Sequence, residues 1–193
     1  DADTVVFVHF DTTGEPAYVA APEGITGPTG DTGPSGPQGP PGPANTGPAV
    51  RVYNSAAQSI SNNPSPYQIV TFDSERYDAS GMHSTSSNTG RLTCVQAGLY
   101  HFFASVQFDT NATGRRFAVI AITNATGFSA VPIVIDEKAG ASGVYPALNP
   151  SADFWMDVGD YAELRVYQNS GGALNVLQAP TYTPVFGCHY IQP

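Results

Sequence analysis

Residues 99–108 read LYHFFASVQF, with a large apolar side chain at almost every second position. Successive side chains of an extended strand point to opposite faces. One face of this stretch would therefore carry Tyr100, Phe102, Ala104, Val106 and Phe108. The alternation predicts a β-strand with one face in a core and the other partly exposed.

The segments around this strand have the same character. Residues 117–122, FAVIAI, form a continuous apolar run, which predicts a strand covered on both faces. Further strands are predicted at 50–53, 67–72, 91–95, 131–136, 161–167, 173–177 and 185–191. Glycine-containing turn signals at 113–114, 139–140, 158–160 and 170–172 separate them. No helix-length amphipathic pattern is present, so residues 48–193 are predicted to form an all-β sandwich or jelly roll.

Three stretches resemble the globular head of the complement q-subcomponent. Residues 89–102, TGRLTCVQAGLYHF, are similar to the family's TGxFTCxxPGLYYF-like string, and Val70, Phe72, Tyr77 and Asp78 match positions that lead into it. Residues 158–167, VGDYAELRVY, and 185–191, VFGCHYI, resemble its GDxVxLxVY and closing FSGFLL strands. The resemblance implies a ten-stranded jelly roll of the tumour-necrosis-factor superfamily, a tight trimer, and binding rather than catalysis. The calcium site of some relatives is not carried over, because no Asp/Asn cluster has calcium-loop spacing.

A strict glycine repeat precedes this head. Glycine occupies every third position at Gly24, Gly27, Gly30, Gly33, Gly36, Gly39 and Gly42. Only glycine fits at the axis of a collagen triple helix, so residues 24–47 are predicted to form a short three-chain stalk, with a flexible Pro/Gly linker as the alternative. Three chains make the protein a homotrimer. The threonine-rich repeat, in which only Pro41 stands where hydroxyproline would occur, resembles bacterial and phage collagen-like proteins.

The N-terminal segment, residues 1–23, contains two short apolar runs around the turn-rich DTTGEP. This pattern predicts a β-hairpin. An isolated hairpin is only marginally stable, so we expect it to pack on its own copies or on a larger assembly. The candidate attachment residues are Val6, Phe7, Val8 and Phe10.

The charge balance excludes some partners. The chain has 7 basic and 16 acidic residues, a formal net charge of −9, and Lys138 as its one lysine. Nucleic acids attract basic surfaces, so no nucleic-acid partner is expected. No apolar run approaches the roughly 20 residues of a membrane helix, and no membrane insertion is expected.

The side chains that could carry chemistry form no recognisable motif. We expect no catalytic residues, no cofactor and no metal, although His83, His101 and His189 could converge on a metal within a trimer. Asp153 and Asp157, in a predicted loop around Trp155, leave a glycosidase-type carboxylate pair open as an alternative. Cys94 and Cys188 are interpreted as free or buried thiols rather than as a disulfide.

Three residues of predicted loops are candidates for recognition: His83, Tyr145 and Trp155. Exposed aromatic side chains make good anchors for sugars and proteins. Trp155, the single tryptophan, has the alternative role of plugging the jelly roll or the trimer axis.

Together these features predict a trimeric fibre or minor tail protein on the tail or capsid of a bacteriophage virion. The hairpin would attach to a base protein of the virion, and the head would bind a glycan or protein of the host surface. A rigid stalk that carries three identical heads would add weak sites together. The alternatives are a bacterial or spore-surface filament, a purely structural decoration fibre, and a secreted animal-type recognition trimer.

Overall fold

The computed structural model describes residues 8–10, 16–18, 30, 33, 47–126 and 130–193. The chain divides into two units, Asp1–Gly42 and Pro43–Pro193. Within the described residues every regular element is a β-strand. No helix in these ranges has the length and apolar character needed to cross a bilayer.

In the first unit, β1 (Val8–Phe10) and β2 (Pro16–Tyr18) form a short antiparallel pair in which Val8 lies opposite Tyr18. This is the strand pairing predicted for the N-terminal segment. Of the candidate attachment residues, Val6 and Phe7 lie outside the described residues. The axis glycines of the stalk also lie outside them, apart from Gly30 and Gly33, which are exposed. The triple helix therefore stays a prediction.

The second unit, the head, is a sandwich of two antiparallel sheets. The first sheet has the order β10-β9-β13-β5, and β7 also pairs with β13. The second has the order β11-β8-β15-β3-β6, and β12 also pairs with β8, while β14 and β4 form a separate pair. The strands are β3 (Ala49–Tyr53), β4 (Gln58–Ile60), β5 (Gln68–Ile69), β6 (Ser74–Asp78), β7 (Arg91–Thr93), β8 (Gly98–Gln107), β9 (Asn111–Thr123), β10 (Val131–Ala141), β11 (Ala147–Leu148), β12 (Ser151–Met156), β13 (Tyr161–Gln168), β14 (Leu174–Val176) and β15 (Val185–Gln192).

The core lies between the two sheets and confirms the predicted patterns. The four alternating residues of β8 from Tyr100 to Val106, and Phe108 just after the strand, are buried, while His101 and Phe103 are partly exposed. On β9 every residue from Ala118 to Thr123 is buried, as the continuous apolar run predicts. Full burial of a large apolar side chain contributes roughly 1.5–3 kcal/mol, so these two strands supply much of the stabilisation of the head.

Two glycine-containing turn signals were wrong, because the glycines lie inside long strands. Gly114 is part of β9 and has a φ of +75°, and Gly140 is part of β10, beside a register shift between Ala139 and Ala141. A Cβ on Gly140 would lie 2.5 Å from the carbonyl oxygen of Asn111. The glycines therefore permit an irregular ladder and a close backbone approach rather than a chain reversal.

The predicted loop around Trp155 is also corrected, because it is strand β12. Every second residue of β12 points outward, and these outward positions carry Ser151, Asp153 and Trp155. The polar edge strand β6, SERYD, was missed as well. It has no apolar alternation because most of its side chains face solvent.

The strand directions give the head two distinct ends. The chain enters at Gly47, where the amide of Tyr190 donates to the carbonyl of Pro48, and Gly98 at the start of β8 lies beside the Tyr190 ring. We call this the proximal end. Strand β8 then runs to Gln107, which pairs with Ala147 at the opposite, distal end. At about 3.3 Å per residue the two ends are roughly 30 Å apart.

Candidate functional site

Two of the predicted recognition residues lie at opposite ends of the head. Tyr145 precedes β11 at the distal end, with 51% of its surface exposed. Trp155 pairs with Leu99 near the proximal end and is 49% exposed. Its indole nitrogen donates to the Asp157 carboxylate at 3.2 Å. The two aromatic side chains therefore cannot contact one small ligand within a single head.

The third predicted recognition residue, His83, has a buried side chain between β6 and β7. Its Nδ1 lies 2.9 Å from Glu75 Oε1, and its Nε2 lies 3.1 Å from the carbonyl oxygen of Thr89. Both ring nitrogens therefore have partners inside the head. His83 fixes the 79–90 loop, and the site described below does not include it.

An open cleft of about 480 Å³ lies at the distal end, beside Tyr145. Its remaining lining residues are polar or aromatic for the most part: Gln107, Asp109, Leu177, Ala179, Thr181 and Tyr182. A concave surface of this size with a few convergent polar groups is typical of a small-molecule site. We call it the distal cleft.

Backbone hydrogen bonds hold the walls of the distal cleft together. The amide of Leu177 donates to the carbonyl of Gln107 at 2.7 Å, and the amide of Asp109 donates to the carbonyl of Asn175 at 2.9 Å. Ala179 and Tyr182 exchange two further backbone hydrogen bonds across a tight turn. Because the walls are joined by main-chain contacts, the cleft is formed before any ligand arrives.

Tyr182 lines the cleft, but its hydroxyl oxygen is buried and is not exposed to the cleft. Burial raises the pKa of Tyr182 to about 12, and a hydrogen bond with the Ser105 side chain opposes this shift. The hydroxyl is therefore protonated at neutral pH and lies inside the head.

A buried glutamine, Gln168, supports the loops next to β4 and β14. Its two amide N–H groups are shared among the carbonyl oxygens of Ile60, Ser61 and Gly172, at N···O distances of 3.1, 2.9 and 2.8 Å. Its amide oxygen accepts hydrogen bonds from the backbone nitrogen and the hydroxyl of Ser170, at 2.8 and 2.7 Å. One side chain thus connects the loop after β4 to the loop before β14.

The proximal end has a smaller cavity of about 300 Å³ beside Trp155. The Asp160 carboxylate at its edge accepts hydrogen bonds from the backbone nitrogens of Ala125 and Asp157, at 2.9 and 3.0 Å. Asp153 and Asp157 are the carboxylates considered as a possible glycosidase pair. Asp153 Oδ1 lies 2.6 Å from His101 Nδ1, and Asp157 Oδ1 accepts a hydrogen bond from the indole nitrogen of Trp155. These carboxylates therefore contact other side chains or close a turn.

The side of the β8–β15 sheet that faces away from the core carries a pair of histidines. His101 lies directly opposite His189 in the strand register, with ring centroids 5.3 Å apart. Next to them the Phe103 ring lies over Gly187, where a Cβ would be 2.6 Å from Phe103 Cζ. We call this surface, which also includes Trp155, the outer face. Sequence analysis grouped His83 with these histidines as possible metal ligands, whereas His83 lies between β6 and β7. The described residues contain no cluster of three potential metal ligands.

The two cysteines are free and buried, as predicted. Burial raises the pKa of both thiols. His189 is exposed while Cys188 is buried, because neighbouring residues of a strand point to opposite faces. The two side chains therefore cannot act as a nucleophile and base pair.

Sequence analysis identified one residue of the distal cleft, Tyr145, and missed the others. Gln107 is the last residue of β8, Asp109 follows shortly after it, and Tyr182 lies in the TYT segment before β15. A polar and aromatic triplet just before a buried strand is a signal that could have drawn attention to Tyr182. The grouping itself depends on contacts between residues distant in sequence, such as Gln107 with Tyr145 and with Leu177.

No protein-family model and no curated protein matches the sequence. The fold matches solved structures at low sequence identity. The Eiger TNF structure from S. frugiperda has a TM-score of 0.54 and 14% identity, over 74% of this chain and 91% of that one. The globular domain of zebrafish complement 1qA has a TM-score of 0.51 and 20% identity, over 75% and 97%. Murine APRIL at pH 5.0 has a TM-score of 0.56 and 11% identity, over 76% and 100%. The head is therefore similar in fold to the jelly rolls of tumour necrosis factors and of complement 1q.

Proposed function

We propose that this chain is the subunit of a homotrimeric fibre on the surface of a bacteriophage virion, and that its head binds the host surface without chemical turnover. Residues 1–23 attach the fibre to a base protein of the tail or capsid. Residues 24–47 form the stalk, and residues 48–193 form the recognition head. The observation that carries the proposal is the distal cleft, which lies at the end of the head opposite the point where the chain enters.

The proposed trimer has support from both parts of the chain. Seven glycines at a spacing of three favour three strands around one axis. In the head, the outer face presents Phe103 over Gly187, the histidine pair beside them, and Trp155 nearer the proximal end. Further copies of this chain are the proposed occupants of the outer face, because the stalk brings the three heads together at their proximal ends.

The proposed direction of binding follows from the two ends of the head. The distal cleft lies at the end of the head opposite Gly47, where the chain enters. Three identical clefts on one fibre raise the overall affinity when the target is repetitive, as a cell surface is. This geometry favours adhesion over a function that needs one isolated site.

The test is to label the purified trimer and to measure its binding to bacterial cells and to isolated cell-wall polysaccharide. A chain truncated after residue 47 is the control, and sedimentation verifies the trimer. Saturable binding that disappears with the head would support an adhesin. No binding across a broad panel of bacteria would refute the adhesion role and favour a structural decoration fibre.

A filament of a bacterial cell or spore surface is the second candidate, because it would share the glycine repeat and the head. Fractionation distinguishes the two, since antibodies against the head would label purified virions in one case and cells or spores in the other. Hydroxyproline at Pro41 and a glycan on Asn111, which stands in the N-glycosylation triplet Asn111-Ala112-Thr113, would support a secreted animal-type trimer, and their absence would count against it. Mass spectrometry of the native protein detects both.

A further inference from the structure

We propose that the distal cleft is a saccharide-binding site that selects uncharged sugars. This inference rests on the proposed function, since it names the class of ligand that the head would bind on a host surface. The following observations concern the shape, the polar groups and the charge of the cleft.

The aromatic part of the site is Tyr145. Half of its surface is exposed at the edge of the cleft, and its backbone carbonyl lies 3.4 Å from the Nε2 of Gln107. This contact ties the loop that carries the ring to the end of β8. An aromatic side chain provides a large apolar surface with little conformational entropy to lose, which suits stacking on the C–H face of a sugar ring.

The polar part of the site offers both donors and acceptors, as a ligand with many hydroxyl groups requires. The Asp109 carboxylate uses one oxygen to accept from the backbone nitrogen of Thr110 at 2.7 Å, and its second oxygen can accept from a ligand. Gln107 uses its Nε2 on Tyr145, which leaves its amide oxygen as an acceptor. The Thr181 hydroxyl can do either.

The charge of the site selects among saccharides. The described residues that line the cleft include one carboxylate, Asp109, and no lysine, arginine or histidine. The chain as a whole has a formal net charge of −9. An acidic sugar or a phosphate would meet repulsion without a compensating cation, so the cleft favours a neutral saccharide over its acidic counterpart.

The test measures binding of the labelled, full-length trimer to immobilised glycans. The glycans are arranged in pairs of a neutral sugar and its uronic-acid counterpart, such as glucoside and glucuronide. We expect binding to neutral members only. Tyr145→Ala should weaken it at least tenfold, and Tyr145→Phe should retain it because the ring remains. The matched control is Val144→Ala, which changes a neighbouring residue of similar exposure, 53%, that does not line the cleft.

A second variant tests the charge selection separately. Asp109→Asn removes the carboxylate and should raise the ratio of glucuronide to glucoside binding several-fold. No binding to any neutral glycan, equal losses in Tyr145→Ala and Val144→Ala, or a preference of the wild-type protein for acidic glycans would overturn the saccharide site. Cell binding is measured in parallel. A fibre that binds cells through a protease-sensitive receptor but binds no glycan would refute this inference and leave the proposed function standing.

Discussion

Replacement of Gln168 by methionine should destabilise the head by about 2–5 kcal/mol. Methionine is unbranched and close in size to glutamine, so the change removes the amide and leaves little cavity. The change removes three contacts of Nε2 with carbonyl oxygens, which its two N–H groups share, and two hydrogen bonds accepted by Oε1. Gln168 itself is fully buried.

The magnitude depends on which partners can find water. The hydrogen bonds of Gln168 to the carbonyl of Ile60 and to the backbone nitrogen of Ser170 lie in buried surroundings. Each of these backbone groups, left unpaired, costs about 1–3 kcal/mol. The carbonyls of Ser61 and Gly172 are only partly buried and regain water, so they add little.

The assay is urea unfolding at one fixed protein concentration, because coupling to a trimer makes the apparent stability depend on concentration. Gln107→Met is the matched control. It removes a single, long hydrogen bond of 3.4 Å on a partly exposed side chain and should cost less than about 0.5 kcal/mol. A loss of less than about 1 kcal/mol for Gln168→Met would refute the supporting role assigned to this side chain.

Three further predictions concern the trimer, the thiols and pH. Phe103→Glu should dissociate the trimer of heads in sedimentation experiments, since it places like charges on the surface proposed to meet in the assembly. Cys94 and Cys188 should resist an aromatic disulfide reagent at pH 8 in the native protein and react as two thiols per chain in urea, because burial raises the pKa of both. Hydrogen bonds from the hydroxyl and backbone nitrogen of Ser55 lower the pKa of Asp73. The stability that this carboxylate contributes is therefore present above its unfolded pKa of about 3.9 and is lost as pH falls through the lower pKa of the folded state. Asp73→Asn should remove this dependence of stability on pH. Solvent screening keeps the contribution below about 1 kcal/mol.

Each of these predictions has an outcome that would contradict it. A Phe103→Glu trimer as tight as the wild type, with Val144→Glu as an exposed control, would remove the outer face from the proposed contact. Rapid labelling of either cysteine in the folded protein would show that its strand opens easily. Equal acid sensitivity of wild type and Asp73→Asn between pH 2 and pH 5 would show that the Ser55 contacts add no measurable stability.

The sequence predicted most of the sandwich because its two central strands have strong patterns. Alternation identified β8 and a continuous apolar run identified β9, and both patterns follow directly from which faces are buried. Strand β12 was not predicted, because its outward residues Asp153 and Trp155 were interpreted as exposed residues of a loop. Gly114 and Gly140 were interpreted as turns because glycine permits a bulge for the same reason that it permits a reversal.

The distal cleft could not be predicted in the same way. Its residues come from the end of β8, the loop before β11 and the turn before β15. Tyr145 could be proposed as an exposed aromatic residue of a loop, but nothing local connects it to Asp109 or Tyr182. Their proximity arises from the pairing of strands that are distant in sequence, and it becomes visible only when the sandwich is assembled.

The position of β15 has a consequence for the order in which the fibre forms. This strand lies between β8 and β3, so the first and last strands of the head are direct neighbours. While a ribosome still holds residues 185–192, the second sheet has a gap at its centre and β3 has no partner on that side. The head therefore closes only after synthesis has passed its last strand. In the proposed fibre, the association of three heads follows the closure of this sheet.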